Sequence, residues 1–255
     1  MNNPIIKDIN NIKEQKRVDY INCVFVDDEY IIPGLNGKEI NVDKSFHKMK
    51  KESTFNEELL EYNQLEPQES IKNNKNRIII KGNSHKNSVS IVFEDNNNLA
   101  KYISKQGYKI NLLINKESYS YEYELINNAS KEELYKTIEK HLNKKGINSE
   151  LCLYTNQNCS NKYLFKPSLI INRSNFPEMI KTITSGEIIQ IENSLSLEQL
   201  NLLIKQIEYQ SLSIVPLSKL ISEINWLSFF LFFVIILLVA SLLIKNRKEM
   251  FLCVI

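Results

Sequence analysis

The chain has 255 residues and a formal net charge of +2, with acidic and basic side chains interspersed along its length. That balance excludes a nucleic-acid binder working through a basic face, so no nucleic-acid partner is expected. The histidines His47, His85 and His141 and the cysteines do not fall at zinc-site spacing. A glycine-rich phosphate loop, a Gly-x-Ser-x-Gly elbow and a His-Glu-x-x-His pair are all absent, and no cofactor is expected.

In chain order, Ile5, Ile6, Ile9 and Ile12 have the spacing of one helical face, and residues 1–20 lack the apolar core that a signal peptide needs. Residues 20–26 and 30–32 are β-branched and aromatic, with Asp27-Asp28 to turn one into the other and Pro33-Gly34 to end the hairpin. A short amphipathic helix from Asp43 carries Phe46 and Met49, and 56–62 reads as another helix. The polar segment 67–75 is the expected boundary of a small N-terminal α+β region, residues 1–75.

Beyond it strands alternate with helices, the rhythm of an α/β domain, over residues 76–223. Strands are predicted at 77–80, 89–93, 109–114, 119–125, 151–154, 163–165, 169–171, 187–191 and 212–216. Helices are predicted at 99–106, closed by Gly107, at 130–141, at 177–184 and at 197–209. Ser130 with Glu133 has the form of a capping box, and Gly146 closes that helix. Tyr119, Tyr121 and Tyr123 share one face of their strand, as a glycan-binding rim would; packing of that face against the domain explains them equally. Cys152 and Cys159 are spaced to close a small disulfide loop in an oxidising compartment, and Cys23 reads as a buried strand residue.

Residues 224–244 contain no charge, Pro or Gly and would span roughly 30 Å as a helix, enough to cross a bilayer. Trp226 suits the headgroup layer at one end, and Lys245, Arg247 and Lys248 open a short basic tail, 245–255. The lipid bilayer is therefore the first expected partner. The basic stop predicts a cytoplasmic tail and an extracytoplasmic domain, which requires an export signal upstream of Met1. A tail-anchored chain with a cytosolic domain is the other reading.

The element order, with the residues at its strand ends, resembles the polysaccharide deacetylase family, whose domain is a distorted (β/α) barrel. Residues 77–223 carry the resemblance. The family's Thr-Phe-Asp-Asp-Gly strand end is matched by Val92-Phe93-Glu94-Asp95-Asn96, and its Leu-Lys-Lys-Tyr-Gly helix and following strand by 99–114. Gly186-Glu187-Ile188-Ile189 and Leu217-Ser218-Lys219-Leu220-Ile221 resemble later family segments. The resemblance puts Glu94 at the catalytic base position and Asp95 at the metal position. Tyr123-Glu124-Leu125-Ile126-Asn127-Asn128 is similar to the family's His-Glu-Ile-Gly-Asn-His, so Asn128 and Glu132 stand where two metal-binding imidazoles belong. Lys166-Pro167 resembles the family's Arg-Pro-Pro-Tyr-Gly, and Glu192 falls at the late histidine that serves as general acid.

With both imidazoles replaced, the resemblance implies a truncated, non-catalytic deacetylase-like domain that binds a cell-envelope glycan or an envelope protein. A divergent active carbohydrate deacetylase using Glu94, Asp95 and substitute ligands for a divalent metal is the second class. The third is a tail-anchored cytosolic interaction protein.

Overall fold

The computed structural model describes residues 3–94, 98–116, 123–147 and 149–223. The expected membrane helix at 224–244, the tail at 245–255, Asp95, Tyr119 and Tyr121 all lie outside the described residues. Among the described residues no helix is long and apolar enough to cross a membrane.

Helix α1 (Pro4–Lys13) starts where Asn3 accepts from the Ile5 N–H and Pro4 takes the first turn. Its Ile5 and Ile9 pack with Ile40 and with Met49 of α2 (Val42–Met49), which Asn41 caps. Between these helices lie β1 (Val24–Phe25), β2 (Tyr30–Ile32) and β3 (Gly37–Ile40). The Asp27 carboxylate accepts from the Glu29 and Tyr30 N–H groups, closing the β1–β2 hairpin that the sequence predicts. Residues 56–62 are not an α-helix. Asn56 caps a single 3-10 turn at Glu57–Leu59, Leu60 is extended, and β4 (Tyr62–Leu65) pairs antiparallel with β3.

The remaining elements are β5 (Ile78–Ile79), β6 (Ser88–Glu94), α3 (Asn98–Lys105), β7 (Asn111–Ile114), β8 (Glu124–Asn127), α4 (Glu132–Lys144), β9 (Leu151–Leu153), β10 (Tyr163–Phe165), β11 (Leu169–Ile171), α5 (Phe176–Met179), β12 (Ile188–Ile191), α6 (Leu197–Tyr209), β13 (Ser213–Ile214) and α7 (Leu217–Ile221). Helix α6 opens with the capping box Ser196–Gln199 and covers the span its pattern predicts. Helix α4 starts after Lys131, without the side-chain cap expected from Ser130; Glu132 and Glu133 in its first turn favour the N-terminal dipole instead. Helix α5 is a single turn, shorter than the predicted 177–184.

One sheet has the order β1-β2-β5-β10-β9, the other β11-β12-β6-β7-β8 with β13 on β6. Apart from the β1–β2 and β3–β4 pairs and the isolated antiparallel bridges Val18–Lys38 and Ile21–Leu35, every described pairing is parallel. The expected boundary at residue 75 runs through the first sheet, because Ile31 of β2 is registered on Ile79 of β5. Residues 1–223 accordingly form one unit. The strand from Tyr163 to Ile171 changes sheets at Lys166-Pro167-Ser168, so both sheets face a shared interior filled by Ile31, Ile79, Val92, Leu113, Ile126 and Phe165. On the other side of β6, β7, β8 and β12, Ile91, Phe93, Leu112, Leu125 and Ile191 pack against α3, α4 and α6. Alternate residues of each strand thus serve two cores, the pattern of a parallel sheet covered on both faces. The result is a mixed α/β fold, two sheets facing a shared interior with helices on the outer side of the second.

Candidate functional site at the strand ends

Strand β6 sends Val92 inward and Phe93 outward, so Glu94 follows Val92 toward the interior. Strand β12 does the same with Ile188, Gln190 and Glu192. Phe93 is registered on Ile191, which puts Glu94 beside Glu192 on neighbouring strands about 5 Å apart. The Glu94 carboxylate accepts from the Gln190 amide at 3.3 Å and from the Asn193 amide at 3.5 Å. Among the described residues the Glu192 carboxylate makes no hydrogen bond or ion pair; its backbone N–H donates to Ile171. Both glutamates are half-buried. The mouth therefore offers two carboxylates framed by amides, a set that accepts hydrogen bonds from hydroxyl groups and donates to their oxygens. Gln190 was legible in the alternation of β12, since it shares a face with Glu192.

Asn128 lies at the same end of the sheet, its N–H donating to Ile114, and β7 separates it from Glu94, a gap of two strand spacings or roughly 10 Å. Its side-chain oxygen accepts from Asn156 at 3.5 Å. Glu132 is on the exposed first turn of α4 in an ion pair with Lys136, whose hydrogen bond and charge hold the carboxyl below its ordinary range. One amide oxygen turned to an amide donor and one carboxylate paired to an ammonium do not fit the metal that the family resemblance implies. Among the described residues no three of His, Cys, Asp and Glu come together as ligands.

Lys166 follows β10 directly, where the strand changes sheets, and its N–H donates to the Ile79 carbonyl of β5. Its ammonium lies 5.1 Å from the Tyr30 ring centroid and 5.4 Å from that of Tyr154. Tyr123 precedes β8 and packs against the helix-side core, so it lines no mouth.

The opposite end of the shared interior is closed by α7, and sequence reasoning missed its polar partners. Asn111, fully buried, donates to Ser90 Oγ at 2.7 Å and to the Ile91 carbonyl at 2.8 Å. Its oxygen accepts from the Leu217 N–H at 2.8 Å, and the Glu124 carboxylate accepts from the Ser218 N–H at 3.0 Å. Two distant side chains thus cap a helix whose own N-cap, Pro216, has no side chain to offer. At its C-terminus the buried Lys86 ammonium donates to the Lys219 and Ser222 carbonyls and to Ser222 Oγ. Burial pushes Lys86 down to about 8 from its usual 10.5, against the opposing pull of Glu223. Glu223 in turn accepts from the Ile71 N–H and the Cys23 thiol.

Cys152 and Cys159 form a disulfide with their Cα atoms 6.3 Å apart, the small loop that their spacing allows. Cys23 is free and buried.

No family model matches the chain, and no curated protein matches it. Solved structures do. Two mutants and the wild-type form of a CE4 family pseudoenzyme from Bacillus anthracis align with TM-scores of 0.55, 0.52 and 0.51, each at 13% identity. They cover 87% of this chain and 98%, 99% and 96% of their own. One of those mutants has restored enzymatic activity. At this identity the likeness establishes the fold alone: the chain is built like the solved domains of this CE4 family protein.

Proposed function

We propose that the chain is a membrane-anchored, non-catalytic deacetylase-like domain that binds a cell-envelope glycan at the strand-end mouth, with the domain extracytoplasmic and the basic tail cytoplasmic. The observation that carries this reading is the state of Glu94. Its carboxylate is met by the amides of Gln190 and Asn193, a hydrogen-bonding surface suited to sugar hydroxyls. The similarity to a pseudoenzyme of the same fold supports it, and so does the apolar segment 224–244 followed by Lys245, Arg247 and Lys248.

The test is titration of the full chain in detergent with chitooligosaccharides by calorimetry. Binding weakened at least ten-fold by Gln190→Ala and by Glu192→Gln supports the mouth; absence of binding, or binding indifferent to both changes, overturns it. Protease shaving of intact cells checks the topology: digestion of residues 1–223 is expected, and protection until lysis would contradict the external placement.

A second reading, a divergent active deacetylase, is favoured by the adjacency of Glu94 and Glu192, which puts the base and acid positions of the family resemblance side by side. Acetate release from acetylated glycan separates it from the first.

A further inference from the structure

A groove of about 980 Å³ runs along α4, bounded on its other side by residues 157–162. We propose that it is a binding site for an acidic glycan, one whose sugars carry carboxylate or phosphate groups, separate from the mouth. The proposal stands without the mouth reading.

The wall on α4 follows from helical spacing. Lys136, Lys140 and Lys144 recur every four residues and line one stripe, with Tyr135 and Glu139 on the stripe beside it. The acids there are already engaged. Glu139 accepts from Lys162 at 2.8 Å and from Asn127 at 3.0 Å, and Glu132 is paired with Lys136. Lys140 and Lys144 have no carboxylate partner among the described residues, and their side chains leave the helix one turn apart, about 6 Å. Two cations at that separation match charged substituents on neighbouring sugars.

The second wall is fixed before any ligand arrives. Asn158 donates to the Ala129 and Ser130 carbonyls at 3.0 and 2.9 Å, Asn156 donates to Ala129 at 3.2 Å, and the Cys152–Cys159 disulfide closes the loop that carries both. The Tyr135 hydroxyl meets Cys159 Sγ at 3.7 Å, and the Lys162 ammonium lies 5.5 Å from the Tyr135 ring centroid, so the floor is held as well. A wall that is already ordered loses little freedom on binding. Asn143, Gln157 and Ser160 add amide and hydroxyl groups to the lining, which suit sugar hydroxyls better than a bare polyanion.

The experiment titrates the full chain in detergent with oligogalacturonate, with neutral chitooligosaccharide and polyglutamate as controls. Expected are binding of oligogalacturonate that weakens with added salt, at least a ten-fold loss in the exposed double variant Lys140→Gln/Lys144→Gln, and no change in Glu192→Gln. A several-fold loss on reduction of the disulfide is expected as well. No binding, or equal binding by the double lysine variant, would overturn the site. Equal affinity for polyglutamate would overturn the glycan assignment, and loss in Glu192→Gln would move the ligand to the mouth. Chitooligosaccharide binding reads the mouth alone, so the two proposals fail separately.

Discussion

The two ends of the shared interior carry similar residue types in opposite physical states. At the closed end Asn111, Ser90 and Lys86 are buried; Asn111 binds Ser90, and the hydrogen bonds of Asn111 and Lys86 reach α7. At the mouth Glu94 and Glu192 are half-buried, and the bonds to Glu94, at 3.3 and 3.5 Å, are long. Buried polar groups with short, complete bonds hold a fold together, because leaving any of them unpaired costs its full desolvation. Half-exposed groups with long bonds cost little to free and remain available to a ligand. Among the buried side-chain oxygens and nitrogens of the described residues, only Glu187 Oε2 has no partner; its other oxygen is held by Lys81 and Thr184.

The contrast is broken most forcefully at Asn111. Asn111→Ala removes three bonds and orphans the Leu217 N–H in the interior, and a loss of about 3 kcal/mol is expected in urea unfolding of the full chain. A loss below about 1 kcal/mol would show that α7 is not held by its distant caps. Gly82→Ala comes next. A Cβ there would lie 2.5 Å from Leu220 Cγ and 2.8 Å from the Leu220 carbonyl oxygen, so α7 must move, at a cost of about 2 kcal/mol in the same measurement.

Lys86 gives a smaller effect with a definite sign. Because its folded pKa is lowered to about 8, the unfolded chain holds a proton that the folded chain has shed between pH 8 and 10.5, and stability rises with pH there. The slope approaches about 1.4 kcal/mol per pH unit. From pH 9 upward the buried Cys23 thiol, pushed up to about 12, works in the opposite direction, because the unfolded thiol ionises first. The Lys86 contribution is therefore read between pH 8 and 9 as the difference between the wild-type chain and Lys86→Met, in which the rise should vanish; an unchanged slope would contradict it. Smallest of all is Glu94→Gln at the mouth, where the unfolding free energy should move by less than about 0.5 kcal/mol. A large loss there would make Glu94 a structural residue and erase the distinction between the ends.

How much of this was legible in the sequence follows from the range of each interaction. Local signals read well: the span of α6, the Asp27 turn, and Gly107 and Gly146, whose φ values of +90° and +73° suit glycine at helix ends. The closed end did not. Asn111 and Leu217 are 106 positions apart and Lys86 and Ser222 are 136 apart, so neither spacing nor periodicity connects them. The same limit hid the sheet that joins β2 to β5, β10 and β9, and with it the absence of a boundary at residue 75. At the mouth, the family resemblance led to Glu94 and Glu192 together; it also led to Lys166, which stands where the strand changes sheets between β10 and β11. Glu132, taken for a ligand position, belongs to the groove on α4 instead.

The central claim is that the mouth holds a glycan without cleaving it, and the most direct measurement is acetate release from acetylated chitooligosaccharide by the full chain, run beside binding of the same compound. Binding with acetate release no faster than in buffer, with or without added zinc, cobalt, manganese or magnesium, is the predicted result. Turnover that disappears in Glu94→Gln or Asp95→Ala would contradict it and make the chain an active deacetylase.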